Sequence, residues 1–169
     1  MEENNNTHET AKLGYESAIQ LWIYEGDVIW SKYNAMLVAN SIVMGILGFA
    51  ISSNSGTFPK YYIIGLVVVG IVLCLAWYQL MKRGYDTVVY WIFSALEIEA
   101  NHLSPTLEIL QRGRKFSSGE KVEFKIGDSI LTHQASKFHQ MFRVVTTGNI
   151  VIGIFVMLYL VVLGFILFK

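Results

Sequence analysis

Apolar and polar positions fall into blocks along this chain instead of mixing evenly. Three runs are almost wholly apolar: Tyr33 to Ile51, Tyr61 to Met81 and Val144 to Phe168. Each approaches or exceeds the ~20 residues a helix needs to cross a hydrocarbon layer of about 30 Å, and none carries a full charge. A soluble helical domain would have to cover every face of all three with protein, and the rest of the chain is too short for that. The pattern therefore predicts an all-α membrane protein with three transmembrane helices.

Flanking the runs, the period of the pattern persists beyond the membrane. Tyr15, Ile19, Trp22, Gly26, Ile29, Tyr33, Met36 and Asn40 recur at alternating steps of four and three, a heptad seam carried by one helix from before Tyr15 to Ile51. After the second run, Tyr85, Val89, Ile92, Leu96 and Leu103 share a face, and Pro105 marks the end of that helix. The segment 104–127 reads as an irregular connector or a small hairpin, because Gly113, Gly119 and Gly127 punctuate it and "KVEFKI" alternates as a strand does. Asp128 or Ser129 is the expected cap of a third helix running through "ILTHQASKFHQMFR" into the last span. The resulting layout is an N-terminal cytoplasmic helix (1–32), a first span (33–51), an external loop (52–60), a second span (61–81), a cytoplasmic helical region with the connector (82–143) and a third span (144–168). The long helical extensions are expected to form a stalk, with Trp22, Trp30, Tyr85 and Trp91 as its packing candidates.

Composition sharpens this. Of 169 residues, 53% are hydrophobic, and the mean hydropathy is +0.44. The stretch "MEENNNTHETAKLGYE" is polar and acidic where a secretory signal is basic and then apolar, so the first span is expected to insert itself. Lys and Arg concentrate before the first span and between the second and third, with only Lys60 and Lys169 on the other side. The positive-inside rule then puts the N-terminus and 82–143 in the cytoplasm of a bacterial cell and the C-terminus outside its inner membrane. Net charge is formally zero, which offers no footprint for direct nucleic-acid binding.

Chemistry-bearing motifs are sparse. "FKIGDSI" (124–130) echoes a hydrolase nucleophile block, but only the last span lies beyond His139 to supply a base and an acid. His133 and His139 are spaced unlike paired metal ligands on a helix, and Glu97, Glu99 and His102 would converge only where subunits meet. No phosphate-binding glycine loop and no HExxH is present, and no arginine is followed four to six residues later by histidine. The expectation is a protein with no enzyme activity, no cofactor and no metal. Cys74, the sole cysteine, reads as a small apolar residue. Arg112, Arg114 and Lys115 in "QRGRK" are candidates to contact phosphate or lipid head groups, beside the plainer reading of a solvated loop.

The amides in the spans carry more information. An asparagine at membrane depth needs a partner that lipid cannot supply. Asn40 falls on the heptad seam, and the pairs Ala35/Ala39 and Ser41/Gly45 add the small-xxx-small spacing that lets helices approach closely. Three arrangements follow: packing of the first span on the third through Asn40 and Asn149, a ring of subunits, or a water-lined pore with Lys32, Asn34 and Asn40 at its lumen.

Asn40, Ser41 and Gly48 in "NSIVMGILG", then Gly70, Trp77, Leu80 and Tyr85, and the stretch "ALEIEANHLSP" with Glu97, Glu99, Leu103 and Pro105 resemble the small octameric bacterial membrane proteins of the RipA type, over about 15–105. The chain also resembles SLATT-type small membrane effectors. Either likeness implies a bacterial inner-membrane homo-oligomer that permeabilises the membrane during phage defence, and neither supplies catalytic residues. The expected function is thus a ring or pore in the lipid bilayer whose stalk receives a signal. Its alternative is an anchor or scaffold that recruits a soluble cytoplasmic partner and conducts nothing.

Overall fold

A computed structural model describes residues 2–52, 58–104, 106–136 and 144–168. Helix α1 runs Glu2–Ser52 and α2 runs Lys60–Ile98, continued by a π-helical turn, Glu99–Leu103. Then come α3 (Ile109–Ser117), strands β1 (Val122–Ile126) and β2 (Ser129–His133), and helix α4 (Val144–Phe168). At 51 residues, α1 is about 75 Å long at 1.5 Å per residue, more than twice what a hydrocarbon layer requires. The chain divides into two compact units, Met1–Gly26 with Asp86–Val144, and Asp27–Tyr85 with Val145–Lys169.

The second of these is the membrane unit. Three helices are long and apolar enough to cross a membrane. Each turns one narrow seam inward at alternating three- and four-residue steps, the spacing of a left-handed helix pair. On α2 the buried seam is Val67, Gly70, Cys74, Trp77, Met81 and Gly84. On α1 it includes Ile29, Asn40, Leu47 and Ala50, and on α4 Gly148, Ile152, Tyr159 and Ile166. Only 17%, 22% and 17% of the most apolar windows of the three helices are buried within the chain, so most of their apolar surface is left for lipid or for other proteins.

The other unit packs Tyr15 and Ala18 of α1 against Ala95 of α2 and Leu103 of the π turn, with Ala11, Ile19, Ile98, Leu107 and Leu110 around them. The helical run ends at Leu103, and Ser104 is extended (φ −71°, ψ 144°), as expected for a residue whose neighbour is proline. Helix α3 closes with Gly119 at φ 86°. The Glu120 N–H donates to the Lys115 carbonyl and the Gly119 N–H to that of Phe116, the paired bonds of a Schellman cap.

Two expectations for this region are corrected. Residues 129–133 form a strand, not the start of a helix capped by Asp128 or Ser129. β1 and β2 pair antiparallel in the register Val122↔His133 to Ile126↔Ser129, which leaves Gly127 and Asp128 as a two-residue turn. Gly127 takes φ 60°, the positive φ that tight hairpin turns demand and that glycine adopts without penalty. The described part of the third-span helix is Val144–Phe168; the predicted helical run through 130–143 is replaced by strand at 130–133, while 137–143, with His139, lies outside the described residues. Pro105 is outside them as well.

Candidate functional site

In the membrane unit the helices meet at one amide. Asn40 is fully buried. Its Nδ2 donates back to the Met36 carbonyl at 2.9 Å, and its Oδ1 accepts from Cys74 Sγ at 3.3 Å and from Tyr159 Oη at 3.2 Å. One side chain of α1 thereby joins α2 and α4, and its carbonyl oxygen has both lone pairs engaged. Such interhelical bonds in lipid average about 0.6 kcal/mol each, with a ceiling near 2 kcal/mol; their larger effect is to select one register.

The shape around the amide is set by glycine. A Cβ on Gly70 would come within 2.2 Å of the Tyr159 ring, so the ring rests on bare α2 backbone and its hydroxyl reaches Asn40. On Gly84 a Cβ would come within 2.6 Å of Ile29, so α1 and α2 approach closely there too. Trp77 is fully buried, with ring centroids 5.1 Å from Tyr33 and 6.0 Å from Phe155. Its indole N–H has no hydrogen-bond partner among the described residues.

The predicted site residues fall in different surroundings within the chain. Asn40 sits inside the chain's own three-helix packing. Its partner on the third span is Tyr159, not Asn149, which is exposed, as are Lys32 and Asn34. Cys74 is a hydrogen-bond donor as well as a small core residue. Trp30, expected to pack, is 52% exposed and meets Tyr33 edge-on at 5.6 Å. Tyr85 is half-buried, and so are Trp22 and Trp91 in the other unit, where Trp91 packs edge-on against Tyr90.

The other unit has its own polar centre, which sequence reasoning did not isolate. Glu99, fully buried, opens the π turn. Its Oε2 accepts from the Tyr15 hydroxyl at 3.1 Å and from the Leu110 N–H at 2.9 Å, and its Oε1 accepts from the Gln111 N–H at 2.9 Å. Those amides belong to the first turn of α3, whose N–H groups lack helical partners, and the carboxylate is favoured at the positive end of that helix. Burial, then the bond to Glu99 and its charge, push the Tyr15 phenol up to about 12, so it stays a donor. Glu97 and His102 are exposed and do not join Glu99. Among the described residues no three potential metal ligands gather. Arg112, Arg114 and Lys115 all lie on α3 and are exposed.

A family model described as the Octameric membrane protein family (8xMP) matches residues 13–168. The chain belongs to this family. The 8xMP match reaches past Pro105 to the end of α4, so the third span, beyond the stretch where the resemblance was read, is part of the family pattern. Both polar centres lie within the 8xMP match. No curated protein and no solved structure matches the chain. It is an oligomeric membrane protein with apolar membrane-crossing helices.

Proposed function

We propose that this chain is a non-enzymatic inner-membrane protein whose copies close into a ring enclosing a pore, with the N-terminus and 82–143 cytoplasmic and the C-terminus outside. The observation that carries the reading is the polar and small outer surface of the membrane unit. Lys32 and Asn34 at the edge of the first span and Asn149 in the third are exposed on it, and lipid tails offer an amide no hydrogen bond. Ser41, Gly45 and Gly48 are exposed on α1, and a Cβ on either glycine would meet open space. A strip of that kind admits a neighbouring helix at close range. Closed symmetry gives every copy the same two neighbours, and the octameric description of the family supports eight copies. A water-filled centre is the environment that Lys32 and Asn34 require. The role in phage defence rests on the resemblance to small membrane effectors.

The mass of the detergent-solubilised protein tests the ring, and dye release from liposomes tests the pore. Gly45→Leu and Asn149→Leu are expected to break the oligomer on a native gel with helicity retained. Vesicles that stay tight under every triggering condition would remove the pore. A challenge of expressing cells with phage tests the defence role. One observation favours the rival, a scaffold for a soluble cytoplasmic partner: the hairpin meets α3 through Val122 and His133 yet exposes Phe124, Ile126, Ile130 and Leu131, an apolar surface that a partner would cover. Tight vesicles combined with a partner lost on hairpin deletion would select the scaffold.

A further inference from the structure

We infer that the cavity beside α3 is a binding site for a singly charged phosphodiester group. It measures about 500 Å³ and is walled by Leu96, Ala100, Arg114, Lys115, Ser118 and Glu120 among others, a size typical of small-molecule sites. The cations of α3 are not equivalent. Arg112 is paired with Glu108 at 3.4 Å, whereas Arg114 and Lys115 have no ion pair among the described residues. The Arg114 guanidinium lies 5.6 Å above the Phe93 ring. With no carboxylate on it, its planar fork is available to an oxyanion, which it binds with two parallel bonds.

The N–H groups of Ser118, Gly119 and Glu120 cap the carbonyls of Arg114, Phe116 and Lys115, and the charges of Arg114 and Lys115 outweigh the residual negative end of the α3 dipole. The Ser118 hydroxyl stands 2.9 Å from the Glu120 carboxylate, which anchors that acid at the wall. Two cations against one carboxylate leave a surplus that matches a monoanion, while a dianion meets Glu120. Leu96 and Ala100 supply an apolar wall for an ester arm of the ligand.

The chemistry is shared by a lipid headgroup and by a soluble diester, so the test carries both. The full chain in nanodiscs of neutral lipid is titrated by calorimetry with glycerophosphoglycerol and, separately, with short-chain phosphatidylglycerol. Binding of the soluble probe, alone or with the lipid, assigns a soluble source. Binding of the lipid alone assigns the membrane. Arg114→Gln combined with Lys115→Gln is expected to weaken binding by about tenfold or more, Arg112→Gln to leave it unchanged, and Glu120→Gln to let inorganic sulfate bind where the parent chain refuses it. No binding of either diester overturns the site. So does undiminished affinity in the Arg114/Lys115 variant with an unaltered circular-dichroism spectrum, or an equal loss in Arg112→Gln, which would mean diffuse charge.

Discussion

Among the described residues, each of the two units buries a polar side chain completely, and they solve the problem with different chemistry. In the membrane unit it is a neutral amide, Asn40, met by a thiol, a phenol and a backbone carbonyl. In the other unit it is a carboxylate, Glu99, met by a phenol and two helix N–H groups. Neither has a counter-ion among the described residues. A full charge among apolar spans costs several kcal/mol even when partnered, so the spans keep a neutral group of modest strength. Away from the spans a carboxylate is affordable, and each hydrogen bond to it contributes about 1.5–3 kcal/mol. The comparison teaches that register in the spans rests mainly on shape, with the amide as a selector, whereas the other unit depends on its polar centre for cohesion.

The largest expected effect breaks the shape side. Gly70→Leu drives a side chain into the Tyr159 ring, where even a Cβ lacks room, and should destabilise the membrane unit by about 3 kcal/mol or more. Denaturant unfolding in detergent measures this, with Gly153→Ala, which meets open space, as the near-neutral control. A small loss at Gly70 would mean that the close approach of α2 to the Tyr159 ring is not what holds the spans.

Next comes the carboxylate. Glu99→Ala leaves the Tyr15 hydroxyl and the Leu110 and Gln111 N–H groups without their acceptor and should cost about 2–3 kcal/mol. Hydrogen exchange at the Leu110 and Gln111 amides is expected to rise, with the membrane-unit amides unchanged. Uniform loosening of both units would erase the contrast between them.

Asn40→Leu should cost less, about 1–2 kcal/mol, by stranding the Cys74 thiol and leaving the Tyr159 hydroxyl only the residue's backbone carbonyl at 3.4 Å. Because the amide is bonded within the chain, unfolding of the protomer should respond to the change. An oligomer lost at full protomer stability would return Asn40 to a subunit contact.

The smallest effect is a pH profile. Tyr15 in the folded chain ionises at about 12, above its ordinary value near 10. Its contribution is therefore intact below about pH 10 and is lost as pH rises towards 12, where the unfolded chain has already released the proton. Tyr15→Phe should flatten the alkaline limb of an unfolding curve followed by circular dichroism. An unchanged limb would separate the phenol from Glu99.

How far these centres were legible depends on how locally each is encoded. The α1 seam ran visibly from Tyr15 to Asn40, because its aromatic and polar members stand out at heptad spacing. The α2 and α4 seams were hidden: in runs apolar on every side, period carries no contrast, and Val67, Cys74 or Ile152 look like their lipid-facing neighbours. Glycines at the same spacing, Gly70 and Gly84, were the available signal for the α2 seam. Glu99 drew notice among possible metal ligands, yet its partners come from another helix and from backbone amides, which no residue type announces. At 126–130 the turn chemistry of Gly127-Asp128 competed with helix capping by the same aspartate. Pairing with β1 decided for the hairpin.

The amino-acid sequence by itself determined that three segments partition into lipid and that long helices continue beyond them, because both follow from the length and periodicity of apolar runs, which are local and additive. Only the tertiary structure decided that Asn40 turns to Cys74 and Tyr159, and that Glu99 gathers Tyr15 and the start of α3. A hydrogen bond depends on the position of both its ends, and the second end arrives from a part of the chain that spacing along one helix cannot specify.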